Sequence, residues 1–194
     1  MTSRANSGFI LKGAVSGVIA PKIRRWDILA SWVRLRGYQR GVEVGVKTGA
    51  MFLQMLQRCP TLTWIGVDLF EPRPELEGTE GESNVQIDFP GHEANLRRII
   101  AEHCPDRGVL LKGLSTEIVT TFPDGSLDLV FIDADHREFA VREDILAWLP
   151  KVRSGGTLSG HDYQRQYPGV IAAVDSVLPT RRLFEDSVWE WRVL

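Results

Sequence analysis

Apolar positions along the chain alternate between two rhythms, one helical and one extended. Ile23 to Leu35 places Trp26, Leu29, Ala30 and Val33 at helical spacing, and Gly37 ends that helix. Val42 to Val46 reads as a strand. A turn with Gly45 and Gly49 follows, then an apolar helix over Ala50 to Gln57, closed by Pro60. Leu62 to Leu69 is nearly all apolar, as a parallel strand covered on both faces must be. Glu93 to Cys104 carries Leu96, Ile99 and Ile100 on one helical face. Val109 to Lys112 is a third strand and Thr116 to Phe122 a short helix. Leu127 to Ile132 is a fourth strand, entered through the turn Pro123-Asp124-Gly125. Phe139 to Leu149 is a helix ended by Pro150, and Thr157 to Ser159 lies in a fifth strand after Ser154-Gly155-Gly156. Val170 to Leu178 is the last helix. Arg182 to Glu185 and Val188 to Val193 are joined too tightly for a crossover helix and should pair antiparallel at a sheet edge.

Five strand–helix units and a terminal hairpin predict an α/β fold. The expectation is a Rossmann-like, doubly wound, mostly parallel seven-stranded sheet with a C-terminal antiparallel hairpin. Residues 1–37 read as an N-terminal arm and helix capping the site, and residues 38–194 as one domain. Glu71 to Gly91 holds three of the ten prolines and six acids, so it reads as a loop. It is long for a connection, and such loops serve as binding elements or lids.

The chain has 194 residues, 43% hydrophobic and 25% charged, which suits one globular domain with a sizeable core. A net charge of −2 calls for neither nucleic acid nor a membrane surface as partner. Cys59 and Cys104 sit in unrelated helices, which fits a reducing cytoplasm rather than a disulfide scaffold. No apolar run approaches the ~18 residues of a membrane span. Arg24, Arg25, Arg34, Arg36 and Arg40 make the N-terminal part basic and read as a solvated helix face.

Ligands of doubly wound sheets bind beyond the carboxyl ends of the strands, at the point where strand order reverses. Polar residues stand at five such ends: Gly45 to Gly49, Asp68, Ser115, Asp133 to His136, and His161-Asp162. Each alone has a plain structural explanation. A glycine turn joins many strands to helices. Asp133 and Asp135 could cap the helix that begins near Glu138, and Ser115 could cap its own.

The order Val42-Glu43-Val44-Gly45-Val46-Lys47-Thr48-Gly49, Ile65-Gly66-Val67-Asp68, Asp128 to His136 and Gly155 to Tyr163 resembles the class I S-adenosylmethionine-dependent methyltransferases. The spacing Glu-x-Gly-x-x-x-Gly is not the Gly-x-Gly-x-x-Gly of dinucleotide enzymes. The resemblance covers roughly residues 38–194 and implies S-adenosylmethionine as cofactor. It implies that Gly45, Val46, Lys47 and Gly49 form the turn around the methionine part, with Glu43 holding the turn and facing the cofactor's ammonium group directly or through water. It also implies that Asp68, next to Leu69, accepts both ribose hydroxyls, that Ser115 lines the adenine, and that Asp133 lies near the transferred methyl.

The segment Phe131-Ile132-Asp133-Ala134-Asp135-His136 is similar to that of metal-dependent O-methyltransferases acting on catechols, caffeoyl-CoA and macrolide sugars. That similarity implies a divalent ion, magnesium or manganese, on Asp133, and His136 as the base that deprotonates an acceptor hydroxyl. In that group two further oxygen ligands follow the fifth strand, where this chain has His161-Asp162. Magnesium prefers oxygen, whereas imidazole suits zinc, iron or nickel. Three arrangements stay open: Asp133 and Asp162 holding magnesium, a softer ion held through His161 as well, or no metal and a histidine acting alone. No Asn/Asp-Pro-Pro-Tyr stretch follows the fourth strand, which favours an oxygen acceptor over a nitrogen one. The implied function is methyl transfer to a hydroxyl of a small molecule, a sugar or natural-product phenol. The competing readings are an S-adenosylmethionine-binding module without independent catalysis and a nicotinamide-dependent oxidoreductase. The terminal hairpin or the arm could serve a homo-oligomer.

Overall fold

A computed structural model of the chain describes residues 22–79 and 84–194; the expected arm over 1–21 and residues 80–83 of the acidic loop lie outside them. Helix α1 (Arg25–Arg36) opens the described chain. Its first turn is held by Asp27, whose carboxylate accepts the Arg24 amide at 3.1 Å. Gly37 ends it in a left-handed conformation (φ +66°) that a glycine adopts without strain.

Five parallel strands follow: β1 (Arg40–Val44), β2 (Thr63–Asp68), β3 (Gly108–Lys112), β4 (Leu127–Ile132) and β5 (Val152–Gly160). The crossovers are α2 (Ala50–Arg58), α3 (Phe89–His103), the short α4 (Ser115–Ile118) and α5 (Glu138–Trp148). Helix α6 (Pro168–Val177) leads to β6 (Arg182–Leu183) and β7 (Trp189–Arg192). The sheet order is β3-β2-β1-β4-β5-β7-β6, with β7 antiparallel to both β5 and β6. The predicted seven-stranded architecture and its antiparallel terminal hairpin are therefore present.

Alternation along β1 sorts side chains between two cores. Val42 and Val44 join Val130, Ile132, Ile145 and Trp148 on the face covered by α4, α5 and α6. Glu43 points the other way, beside Trp64, into the layer built from α1, α2 and α3. Among the described residues the substantial irregularity is in β5. Leu127 pairs with Val152, but Leu129 pairs with Thr157, so Ser154-Gly155-Gly156 is folded into the strand as a bulge rather than preceding it. Gly155 takes φ +76° there. The acidic loop is also shorter than expected, because α3 begins at Phe89, with Asp88 accepting the Gly91 amide at 3.1 Å.

Candidate functional site

Strand order reverses between β1 and β4, and the two chains leaving them touch. The Asp133 amide bonds to the Val44 carbonyl at 2.8 Å and the Gly45 amide to the Val67 carbonyl at 2.9 Å. A Cβ on Gly45 would stand 2.2 Å from the Asp133 carbonyl oxygen, and its φ is +93°. Gly45 is thus required first by the approach of the two strand ends, independently of any ligand.

Asp68 organises the turn. Its Oδ2 accepts the Val46 and Lys47 amides, both at 2.7 Å, and its Oδ1 accepts the Phe70 amide at 2.6 Å. Lys47 and Phe70 adopt positive φ (55° and 49°), and these bonds hold them there. Three of a carboxylate's roughly four lone-pair positions are occupied. Asp68 has capacity for one further hydroxyl; accepting two would require release of an amide.

A cleft of about 350 Å³ opens above this turn, a size that suits a small organic cofactor. Gly45, Lys47, Asp68, Leu69, Ser115 and Asp133 line it, so six of the expected cofactor residues share one wall. Three others stand behind it. Val46 is in the core, Gly49 packs on Leu96, and Glu43 is 1% exposed with its Oε2 accepting the Trp64 indole N–H at 2.9 Å. Burial drives the Glu43 carboxyl well above its usual range, the Trp64 bond opposing it and the charge of Asp133 adding to it. Glu43 is therefore buried behind the cleft on Trp64 and does not line it.

Beyond β4 and β5 lies a cluster of ionisable groups. His136 Nε2 lies 2.8 Å from Asp162 Oδ2. His161 Nδ1 lies 2.9 Å from Asp162 Oδ1 and 3.6 Å from Asp133 Oδ1. Gln164 Nε2 donates to Asp162 Oδ1 at 3.1 Å. Burial alone would push the Asp162 carboxyl up, but the hydrogen bonds and charges of the two histidines outweigh it and hold the group well below the usual carboxylate range. Burial raises Asp133, with Arg25 and His161 acting against the rise and Asp162 adding to it. His136 is 5% exposed and stacked on Tyr167 at 4.0 Å between ring centroids. It lies behind the main cleft, in a small pocket with Val141, Val170 and Trp189.

For a metal, donor atoms of Asp133, His136 and Asp162 all fall within 4.8 Å of one another. The sequence-based set named His161 instead of His136; His161 Nδ1 is itself 2.9 Å from Asp162 Oδ1 and 3.6 Å from Asp133 Oδ1, so both imidazoles stand beside the two acids. Two carboxylates and an imidazole fit iron, nickel or zinc better than magnesium. Arg25 shares this space, because its Nη1 reaches Asp133 Oδ2 at 2.5 Å.

Sequence reasoning assigned the arginines to a solvated face, and two of them are not there. Arg25 turns inward to Asp133, and Arg36 reaches the fully buried Glu190 carboxylate at 2.5 Å. A helix-surface reading fails at these positions because both acids are brought in from strand ends more than 100 residues away. The carboxyl of Asp144 on the cleft wall was also missed; its Oδ1 accepts the Ser115 hydroxyl proton at 2.5 Å. It lies within a helix, and helix interiors carry acids for many reasons.

The sequence of residues 42–163 matches the model of a methyltransferase domain family. The chain belongs to that family, and its fold is that of the class I S-adenosylmethionine-dependent methyltransferases. A curated relative, an uncharacterized protein of Acanthamoeba polyphaga mimivirus, is 26% identical over 155 residues; this covers 79% of the chain and 65% of the viral protein. Among solved structures, the O-methyltransferase NovP superposes with a TM-score of 0.64 at 19% identity (84% of this chain, 76% of that one). CalS11, a TDP-rhamnose 3'-O-methyltransferase of calicheamicin biosynthesis, gives 0.62 at 17% (87% and 81%). The S-adenosylhomocysteine-bound Podospora anserina methyltransferase PaMTH1 gives 0.62 at 14% (87% and 77%). These likenesses are of fold. Among the described residues no helix is long and apolar enough to cross a membrane.

Proposed function

We propose that this chain binds S-adenosylmethionine in the 350 Å³ cleft and transfers its methyl group to a hydroxyl of a small molecule. The observation that carries the reading is the turn itself: Gly45 pressed against Asp133 and three amides gathered by Asp68 at the reversal of strand order. In this reading the remaining Asp68 lone pair accepts a ribose hydroxyl and Asp133 faces the methyl-donor end. The sugar O-methylation named for CalS11 supports a glycosyl acceptor.

In this reading His136 is the general base. With Nε2–H donated to Asp162, basicity resides on Nδ1, and the carboxylate stabilises the imidazolium that forms as the acceptor proton arrives. Methyl transfer is an in-line displacement: the acceptor oxygen bonds to the methyl carbon as the carbon–sulfur bond breaks, and the electron pair stays on the neutral thioether. Helix α1 caps the site through Arg25. A divalent ion, held by Asp133, Asp162 and His136, would acidify the hydroxyl, and His136 would then act as ligand instead of base.

The depth of His136 favours a second reading, a cofactor-binding module without independent catalysis. Two measurements separate the cases. Calorimetry with S-adenosylhomocysteine against NAD should give heat with the former alone; heat with NAD alone would return the chain to the oxidoreductase class. A methyl-transfer assay over sugar and phenol acceptors should show turnover that His136→Ala lowers about 100-fold or more. Undiminished turnover would remove the base assignment, and binding without any turnover would favour the module.

A further inference from the structure

Ser115 and Asp144 meet on the cleft wall although 29 residues separate them. A serine hydroxyl has one proton and two lone pairs. Ser115 Oγ lies 2.5 Å from Asp144 Oδ1 and receives Trp148 Nε1–H at 2.7 Å. An indole N–H can only donate, and an ionised carboxylate can only accept. The hydroxyl proton is therefore directed to Asp144, and one lone pair is taken by Trp148. What Ser115 can still present to a ligand is a single lone pair. Burial raises the Asp144 carboxyl to about 6, with the Ser115 bond opposing and the charges of Glu143 and Asp135 adding, so it is ionised at pH 8.

We infer that Asp144 is a positioning residue for the cofactor's purine: it fixes the Ser115 hydroxyl as an acceptor, and so selects a 6-amino purine over a 6-oxo purine. The inference rests on the cleft being the S-adenosylmethionine site, with Ser115 facing the 6-position of the base. The exocyclic amine of adenine donates a hydrogen bond to such an acceptor. The 6-carbonyl of hypoxanthine sets lone pair against lone pair, and sites that read a hydrogen-bonding group discriminate far more strongly than sites that read shape. An asparagine at 144 can reverse the polarity. Its amide N–H donates to Ser115 Oγ, and the hydroxyl proton is released toward the cleft.

The test is calorimetry at pH 8 with S-adenosylhomocysteine and S-inosylhomocysteine, on the full chain, Asp144→Asn and Ser115→Ala. The parent chain is expected to prefer the adenosyl compound by roughly thirtyfold or more. Asp144→Asn should reduce that ratio at least about tenfold, a change in selectivity that loss of packing alone would not produce. Ser115→Ala, a small change at a half-buried position, should bring the ratio to within about threefold while S-adenosylhomocysteine still binds. Should Asp144→Asn fail to fold, the Ser115→Ala ratio decides. Equal binding of both compounds by the parent, or an unchanged ratio in either folded variant, overturns the inference and leaves the cofactor reading intact. No binding of S-adenosylhomocysteine by the parent overturns both.

Discussion

At the scale of single residues, the strand ends could be read and the direction of their side chains could not. Type and position pick out Asp68 and Ser115 as polar residues at strand ends, and both line the cleft. Glu43 was expected to hold the turn and face the cofactor; its carboxylate is buried on Trp64 instead of lining the cleft. The alternation along β1 that buries Val42 and Val44 on one face sends Glu43 beneath Trp64, and the strand pattern alone does not say which layer a lone polar residue enters. Its folded carboxyl is raised above its ordinary value near 4.5. The stability associated with the neutral form is fully present below that ordinary value and is lost as pH climbs through the raised one. Glu43→Gln, which keeps an acceptor for Trp64, should therefore gain on the parent chain as pH increases. Melting temperatures from pH 5 to 9 should diverge in its favour; a constant gap would show that the carboxyl is ionised throughout. Asp162 has the opposite sign, because its folded value is depressed. Its contribution is present above the usual carboxylate range and is lost as pH falls below it. Asp162→Asn should destabilise at pH 7, and in urea titrations the gap to the parent should start to close only below about pH 3, as pH falls through the depressed folded value.

Secondary-structure elements differ in how much of themselves they announce. The strand Leu127–Ile132 has the bounds its apolar run predicts. The strand Val152–Gly160 is longer than the sequence suggested, because a Ser-Gly-Gly stretch that usually marks a turn is absorbed as a bulge. The bulge places Thr157 beside Tyr38, whose hydroxyl it meets at 2.8 Å, while Arg36 reaches both Thr157 and Glu190. Arg182 adds a second guanidinium to the same buried carboxylate. This network ties α1, β5 and the terminal hairpin together. Glu190→Ala would leave Arg36 without its counter-charge, and a loss of about 3 kcal/mol in denaturant unfolding is expected; a loss under about 1 kcal/mol would mean the network is solvent-screened. The turn after β1 is less forgiving. Gly45→Ala forces a methyl onto the Asp133 carbonyl in a left-handed backbone. Destabilisation of about 2 kcal/mol or more and loss of S-adenosylhomocysteine binding are expected by thermal shift.

At the scale of the whole molecule, the class of fold was legible because five βα repeats admit few topologies. The site's outer half was not, since it depends on pairs such as Arg25 with Asp133 and Ser115 with Asp144, which local periodicity cannot report. Both cysteines are buried in the core on the α1–α3 side, and burial raises the Cys59 thiol. Labelling by a thiol reagent in native buffer should be slow for both and should quicken only with unfolding; rapid native labelling would contradict the packing of that layer. The Arg25 contact also bears on where the protein can be cut. A version begun at residue 38 would carry every strand and every residue by which its relatives are recognised. Yet it would strip Leu29, Trp32 and Val33 from the layer they cover, and leave the acids at 133 and 162 facing each other with only imidazole rings between them. The segment that no motif marks is the one that makes the acid cluster beyond β4 electrically tolerable.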